Sequence, residues 1–280
     1  MEKILITKAS GEREPFSEAK LRRSLQRVHA SSALSDEIVT LIEGELTEGM
    51  KTADIYRQAF SYLRKKERSI AARYSLKNAL MELGPTGRPF ERFVGELLRS
   101  EGFGVEVARI VRGVCIKHEV DVVATRGDRH VMVECKFHNR PGLRSDVKIS
   151  LYIQARFEDI ERQWKKEPEH GEKFHEVWLV TNTKLTSDAA DYAKCAGMRA
   201  IGWNYPLNDG LEVRIEKSGL HPITCLTTLS GAQKRQLLEK NVLLCKEILA
   251  DENLLESIGL SGSKISQVLA EAKELCHRGI

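Results

Sequence analysis

Val120-Asp121-Val122-Val123 and Val131-Met132-Val133-Glu134-Cys135-Lys136 are the two stretches that decide the fold of this 280-residue chain. Each is short, apolar and rich in valine, which predicts two buried strands joined by the turn at residues 126–129. Side chains alternate along a strand, so Glu134 shares a face with Lys136, and Glu119 shares one with Asp121. Carboxylates are costly in an apolar setting unless they bind something, and a divalent metal is the obvious candidate.

The bulk composition is that of an ordinary soluble globular protein, with 41% hydrophobic and 30% charged residues. The length is sufficient for two or three domains, each with its own core. A net charge of +4 is too small to indicate nucleic-acid binding by itself, although it permits a local basic face.

The six cysteines are widely scattered and form no Cys-x-x-Cys pair. This spacing predicts neither a disulfide framework nor a zinc site, and it favours a reducing, cytoplasmic location. No apolar run is long enough to span a bilayer, so we expect no contact with a membrane.

Residues 1–84 predict a small, mainly helical domain with a strand at its start. Ile4–Thr7 alternates like an edge strand, and Ser17 is a good N-cap for a helix over 18–29. Three further helices are predicted over residues 35–46, 53–65 and 69–83.

The string Ile4-Leu-Ile-Thr-Lys-Ala-Ser-Gly-Glu-Arg-Glu-Pro-Phe-Ser-Glu-Ala-Lys-Leu21 resembles the opening of the ATP-cone domain. Gly49–Ile55 and Ile70–Tyr74 fall where that family has its later motifs. Such cones bind ATP or dATP as regulatory ligands. The resemblance implies contacts from lysines to the phosphates, apolar and acidic contacts to base and sugar, and one polar contact. By position, Lys8 and Lys20 would contact the phosphates. Glu14, Phe16 and Leu21 would contact the base and sugar, and Thr52 would make the polar contact.

The chain departs from the cone family at two cationic positions. The usual Lys-Arg-Asp-Gly is Lys8-Ala-Ser-Gly11 here, and a family lysine near the end of the last helix has no counterpart in Asn78–Glu82. A helical cap with solvated lysines therefore stays open as an alternative to a triphosphate site.

Residues 85–217 predict a mixed sheet flanked by helices, that is, an α/β domain. The breaker-rich segment Gly84–Pro89 precedes it. The predicted elements are a helix over 90–98, strands over 105–107, 111–116, 120–124 and 131–137, a helix over 146–164, a strand over 174–180, a helix over 188–195 and a strand over 199–203.

The order Glu91, Asp121, Glu134-Cys-Lys136 makes this domain resemble the PD-(D/E)xK nuclease superfamily, nearest to Mrr-like restriction endonucleases. Gln154, on the helix after the Glu-x-Lys strand, adds to the match. The resemblance implies a Mg²⁺ (or Mn²⁺) ion and DNA as the substrate. Glu119 is a spare ligand, but Asp121 is favoured because valines embed it in the strand.

Each of these residues has a chemical reason to be in such a site. Asp121 and Glu134 supply the hard oxygen ligands that Mg²⁺ prefers, and Glu91 completes the shell directly or through water. Lys136 would orient the attacking water or neutralise charge on the phosphorane, while Gln154 would hold the nucleophile or the scissile phosphate.

Basic residues and histidines surround these positions in the sequence. We expect the basic residues to attract phosphates and residues 139–145 to close over the substrate. We interpret the histidines as solvated or facing DNA, because they lack the spacing of a zinc hydrolase. The basic residues are Arg126, Arg129, Lys136, Arg140, Arg144 and Lys148, and the histidines are His118, His130 and His138.

Residues 218–280 predict a helical C-terminal region with a two-fold repeat. Leu229–Cys245 realigns with Leu260–Cys276, each beginning Leu-Ser-Gly and ending Leu-Cys, and His221–Thr224 is a predicted linker. Ile258–Lys264 resembles a helix-hairpin-helix, whose turn offers N–H groups to DNA; helical packing or dimerisation is the alternative.

The sequence therefore predicts a multidomain α/β protein that is a Mg²⁺-dependent DNA endonuclease of restriction or repair type, regulated by ATP or dATP. The first rival is a non-catalytic nucleic-acid binder or nucleotide sensor that kept the nuclease fold. The second is an interaction protein whose cone drives homo-oligomer formation.

Overall fold

The computed structural model describes residues 4–277. Its first part is a two-stranded antiparallel hairpin followed by a group of helices. The strands are β1 (Leu5–Thr7) and β2 (Arg13–Pro15), and the helices are α1 (Glu18–Arg27), α2 (Ser32–Glu45), α3 (Thr52–Lys66), α4 (Arg68–Tyr74) and α5 (Leu76–Met81).

The helical part has its own apolar core, to which Leu25, Ile38 and Leu63 each contribute a fully buried side chain. The Ser17 side chain caps α1 by accepting the N–H of Lys20, as the sequence predicts. The prediction of one helix over 69–83 is wrong. The Ser75 hydroxyl donates a hydrogen bond to the Ala72 carbonyl, and the chain divides there into α4 and α5.

The middle part is built on a five-stranded mixed sheet in the order β3-β4-β5-β7-β9. β3, β4 and β5 are antiparallel, while β5, β7 and β9 are parallel. In chain order the elements are α6 (Arg88–Ser100), β3 (Gly104–Arg112), β4 (Lys117–Arg126), β5 (Arg129–Lys136), β6 (Arg144–Ser145), α7 (Val147–Trp164), β7 (Phe174–Thr181), β8 (Lys184–Leu185), α8 (Ser187–Cys195), β9 (Arg199–Ile201) and α9 (Leu211–Ser218).

Helices cover both faces of this sheet. The α6 side chains Phe90 and Phe93 pack on the face that carries Val122 and Val133, and helices of the C-terminal part join the same core. Ile153 of α7 packs on the opposite face with Met132 and Leu179. Burial on both faces explains the apolar runs at 131–133 in β5 and 177–180 in β7.

The prediction of two strands over 105–107 and 111–116 is wrong, because β3 is a single strand and residues 113–116 form a turn. The Asp159 carboxylate organises this turn. It accepts the N–H groups of Cys115 and Ile116 at 2.9 and 3.3 Å and lies 2.9 Å from Nε2 of His118. The sequence offered no local signal for this long-range contact.

The C-terminal part packs against the middle part and is helical, with α10 (Gly231–Glu239), α11 (Cys245–Ala250), α12 (Asn253–Glu256) and α13 (Gly262–Cys276). The predicted linker at 221–224 is wrong, since His221 is 1% exposed and Ile223 is fully buried. The two copies of the repeat also differ: Cys245 begins α11, whereas Cys276 ends α13. No helix within residues 4–277 is long and apolar enough to cross a membrane.

Gly113→Ala tests the turn that Asp159 organises. A Cβ at this position would lie 2.0 Å from Oδ2 of Asp159 and 2.9 Å from the Ile116 carbonyl oxygen. We expect the change to lower the free energy of unfolding by about 1–3 kcal/mol, because the carboxylate must leave the turn. Urea denaturation measures this.

Gly44→Ala is the matched control, because a Cβ there meets nothing within 4 Å and α2 is helical at this residue. It should raise the free energy of unfolding by roughly 0.5–1 kcal/mol. Equal effects of the two substitutions would contradict the close packing of the turn.

Candidate active site at the ends of β4 and β5

Asp121 lies where the pairing of β4 with β5 stops. The ladder between these strands runs from Arg126↔Arg129 to Val122↔Val133. At the next position the Asp121 side chain replaces a backbone partner, because its Oδ2 accepts the N–H of Cys135 at 2.7 Å. This bond fixes a carboxylate between two strands and satisfies a donor that the ended ladder leaves free.

Glu134 and Lys136 follow on β5 and alternate with Cys135. Glu134 and Cys135 are half-buried, and Lys136 is exposed. Cys135 packs against the core on the α6 side, and burial raises the pKa of its thiol well above the usual range. A thiol in this state is a poor nucleophile, so the structure gives Cys135 a role in packing.

Three carboxylates perturb one another at this edge of the sheet. Burial, followed by the charge of Asp121, raises the pKa of Glu91 and raises the pKa of Glu134 to about 7. Burial also raises the pKa of Asp121, against the opposing effect of the Cys135 N–H. Like charges that are partly desolvated favour the protonated form unless a cation joins them.

One oxygen of this group has no partner. Oε2 of Glu134 is buried and makes no hydrogen bond within residues 4–277. A buried acceptor without a donor costs about 1–3 kcal/mol, so it calls for a ligand. The oxygen donor set of Asp121 and Glu134 fits Mg²⁺, which binds through one or two carboxylates and keeps several waters.

Glu91 is not placed as a direct third ligand. In the described part of the chain, Glu91, Asp121 and Glu134 do not bring three ligand atoms within 4.8 Å of one another. A trio that does so, Glu167, Glu169 and His170, lies in the segment before β7, at the opposite edge of the sheet. A role for Glu91 at the nuclease-like site therefore requires a bridging water.

Arg156 is a residue that the sequence reasoning missed. It projects from α7 with 9% exposure, and its Nη1 lies 2.5 Å from Oε1 of Glu134. Its Nη2 donates to the Glu119 carbonyl. The available signal was its spacing from Ile153 and Ile160, which places an arginine in the buried stripe of the helix. Arg156 orients Glu134 and leaves only Oε2 free.

Gln154 and Glu119 do not contact the carboxylate group directly. Nε2 of Gln154 donates to Glu158 at 3.1 Å, while its buried Oε1 has no partner within residues 4–277. Glu119 is exposed and pairs with Arg88 at 2.8 Å. Of the two acidic residues on β4, Asp121 is thus the one that faces Glu134.

The prediction that six basic residues lie around the candidate site is only partly correct. Arg126 and Arg129 flank the turn at the far end of the β4–β5 hairpin, roughly 16 Å along the strand from Glu134. Arg129 pairs with Glu176 at 2.5 Å, and Arg126 donates to the Glu101 carbonyl. Lys136, Arg140, Arg144 and Lys148 lie at or beyond the end of β5 that carries Glu134, and all four are exposed.

The prediction that the three histidines are solvated or face DNA is wrong for two of them. His118 is 9% exposed and pairs with Asp159, and His130 is 3% exposed and packs against Trp164. His138 is half-buried beside Ser145. Strand alternation cannot reveal this, because His118 and His130 are buried by contacts with α7.

A second candidate site lies in the cone. A cavity of about 170 Å³, here named the cone cavity, is lined by residues from β1, β2, α1 and α3. Oε2 of Glu14 lies at its edge and pairs with Lys8 at 2.8 Å and with Lys20 at 2.9 Å. Five of the six residues predicted to bind nucleotide line the cavity: Glu14, Phe16, Lys20, Leu21 and Thr52.

Comparison with known proteins assigns each part of the chain to a family. Residues 4–80 match the family model of the ATP cone domain, 84–202 that of a restriction endonuclease domain, and 221–276 that of the AF1548-like C-terminal domain. An uncharacterised protein of Archaeoglobus fulgidus is 39% identical over 183 residues, which are 65% of this chain and 99% of that protein.

The fold comparison agrees with these matches. A crystal structure of the protein of unknown function AF1548 is 36% identical to this chain, with a TM-score of 0.54. The similarity covers 68% of this chain and 98% of that one. The chain belongs to the AF1548-like family and joins an ATP cone and a restriction-endonuclease-like domain to its C-terminal domain.

Proposed function

We propose that this protein is a Mg²⁺-dependent DNA endonuclease of restriction or repair type, and that its cone binds ATP or dATP as a regulatory ligand. The observation that carries the proposal is the buried Oε2 of Glu134 beside Asp121, which has no hydrogen-bond partner in the described residues. The restriction-endonuclease match over residues 84–202 supports the reaction class.

Four residues of the candidate site would hold or position the metal ion. Asp121 and Glu134 would hold the ion, with Glu91 reaching it through water. A bound Mg²⁺ supplies a water of lowered pKa and polarises the phosphate. Arg156 holds Glu134 in position through Oε1.

Lys136 is exposed two residues after Glu134 on the same strand, where a phosphate can approach it. Its ammonium would orient the nucleophilic water or offset the charge that develops on the phosphorane. Gln154 has a buried carbonyl oxygen free to accept a hydrogen bond, which suits the role of holding the water. The exposed residues Arg140, Arg144 and Lys148 would make sequence-independent phosphate contacts.

One observation favours a second candidate function. The ion pair between Arg156 and Glu134 already supplies a positive charge at one of the proposed metal ligands, which is compatible with a protein that kept the nuclease fold without its metal. Such a protein would bind nucleic acid without cleaving it.

Plasmid cleavage separates these functions. In Mg²⁺ the wild-type protein should nick or cut supercoiled DNA, and Lys136→Ala should reduce the rate roughly 10²–10³-fold by removing charge stabilisation. Glu134→Gln, which keeps the shape but removes the ligand charge, should abolish cleavage. Gel electrophoresis of the products measures both effects.

Lys166→Ala is the matched control, because this exposed lysine follows α7 at the opposite edge of the sheet. It should cleave at the wild-type rate. Equal cleavage by the wild type and both site variants would contradict the nuclease assignment. Salt-sensitive DNA binding without cleavage by the wild type would establish the second function.

Nucleotide binding is tested by calorimetry with ATP and dATP. Lys20→Ala should weaken binding roughly tenfold or more, because it removes a charged contact at the cone cavity. Lys65→Ala, at an exposed lysine of α3 that does not line the cavity, should bind like the wild type. Absence of binding heat for the wild type would leave the cone as a structural cap.

A further inference from the structure

A larger cavity lies between the cone and the restriction-endonuclease-like domain. Its volume is about 400 Å³, within the range of ligand sites, whereas the cone cavity is smaller than that range. We name it the junction cavity, because Thr52, Tyr56, Arg73 and Lys77 line it from the cone side and Pro141 and Trp203 line it from the other.

Positive charge dominates the lining of the junction cavity. Arg27, Arg73 and Lys77 contribute cations, and Glu212 is the acidic residue among the lining groups of the described chain. Arg27 is 3.3 Å from Glu212, and Arg73 is 3.6 Å from Glu216 outside the cavity. Both arginines are thus partly neutralised.

Lys77 is the cation that lacks a counter-ion. It is half-buried on α5, and within residues 4–277 no carboxylate lies in ion-pair distance of its Nζ. Its Nζ lies 6.0 Å from the ring centroid of Trp203. Burial, and then the charge of Lys184, lowers the pKa of Lys77. An ammonium in this position is stabilised when an anion enters the cavity.

The junction cavity and the cone cavity are neighbours that share one lining residue. Thr52, at the first position of α3, lines both. The cone cavity presents Phe16, Leu21 and Ile6, whose apolar side chains suit a base and sugar better than a triphosphate. The two cations that the cone family places near the phosphates are absent from this chain, at Ala9 and in Asn78–Glu82.

We infer that the phosphate chain of a nucleotide seated in the cone cavity extends past Thr52 into the junction cavity, where Lys77, with Arg73 and Arg27, binds it. This inference rests on the proposed binding of ATP or dATP by the cone. It adds phosphate contacts from residues outside the six that the cone resemblance indicates.

Such a ligand would touch the segment that follows the candidate catalytic strand. Pro141 lines the junction cavity, and a Cβ at Gly142 would be 3.6 Å from Cβ of Ala9, in the turn of the β1–β2 hairpin. Pro141 and Gly142 thus lie against the cone a few residues after Lys136. A triphosphate bound in the junction cavity would contact this segment and slow its opening.

Calorimetry with ATP and with adenosine tests the inference on the full chain. Lys77→Met keeps the length of the side chain and removes its charge. It should weaken ATP binding roughly tenfold or more and leave adenosine binding unchanged, because adenosine has no phosphate. Lys77→Arg should restore most of the affinity for ATP, and Lys65→Met should match the wild type.

Hydrogen exchange supplies a second readout. ATP should protect the amides of residues 139–143 in the wild type and fail to do so in Lys77→Met at saturating nucleotide. Wild-type ATP affinity in Lys77→Met, with affinity lost in Lys20→Ala, would overturn the inference and leave nucleotide binding by the cone intact. Absence of ATP binding by the wild type would overturn both.

Discussion

The hydrogen bond from the Cys135 N–H to the Asp121 carboxylate is the constraint on which the candidate active site depends. It ends the pairing of β4 with β5 and holds an acidic side chain between the two strands. Burial of Glu134, followed by the nearby charge of Asp121, raises its pKa to about 7. Arg156 relieves this repulsion at one oxygen and leaves the other without a partner among residues 4–277. The site is therefore electrostatically incomplete, and a divalent cation is the ligand that we propose for it.

Much of this arrangement could be predicted from the sequence, because its signals are local. Valine-rich runs identify β4 and β5, alternation places Glu134 with Lys136, and Ser17 marks the start of α1. The order of acidic residues and the resemblance to two families gave the domain types that the comparisons confirm.

The errors concern contacts between residues far apart in the chain. Arg156 reaches Glu134 across 22 positions, and Asp159 reaches Cys115 across 44. Neither pair can be predicted from hydrophobic periodicity, because periodicity indicates only which face of a helix or strand is buried. The prediction of a linker at His221 is wrong for the same reason. An exposed linker and a buried connecting segment have similar local composition and differ only in which residues pack on them.

The cone and the enzyme-like domain are joined by packing as well as by sequence. Leu76, Ala79 and Leu80 of α5 belong to the core shared with α6 and the C-terminal helices, and the junction cavity opens beside them. A ligand in the junction cavity would therefore contact residues of both parts. We propose that a nucleotide there acts on the restriction-endonuclease-like domain through this direct contact and needs no long relay.

Anomalous scattering from crystals grown with Mn²⁺ tests the central claim most directly. We predict a Mn²⁺ peak about 2 Å from Oε2 of Glu134 and from a carboxylate oxygen of Asp121, and its loss in Glu134→Gln. Glu119→Gln, which removes an exposed carboxylate two residues before Asp121, should leave the peak in place. No peak at Glu134 in the wild type, with Arg156 still paired to it, would contradict the account.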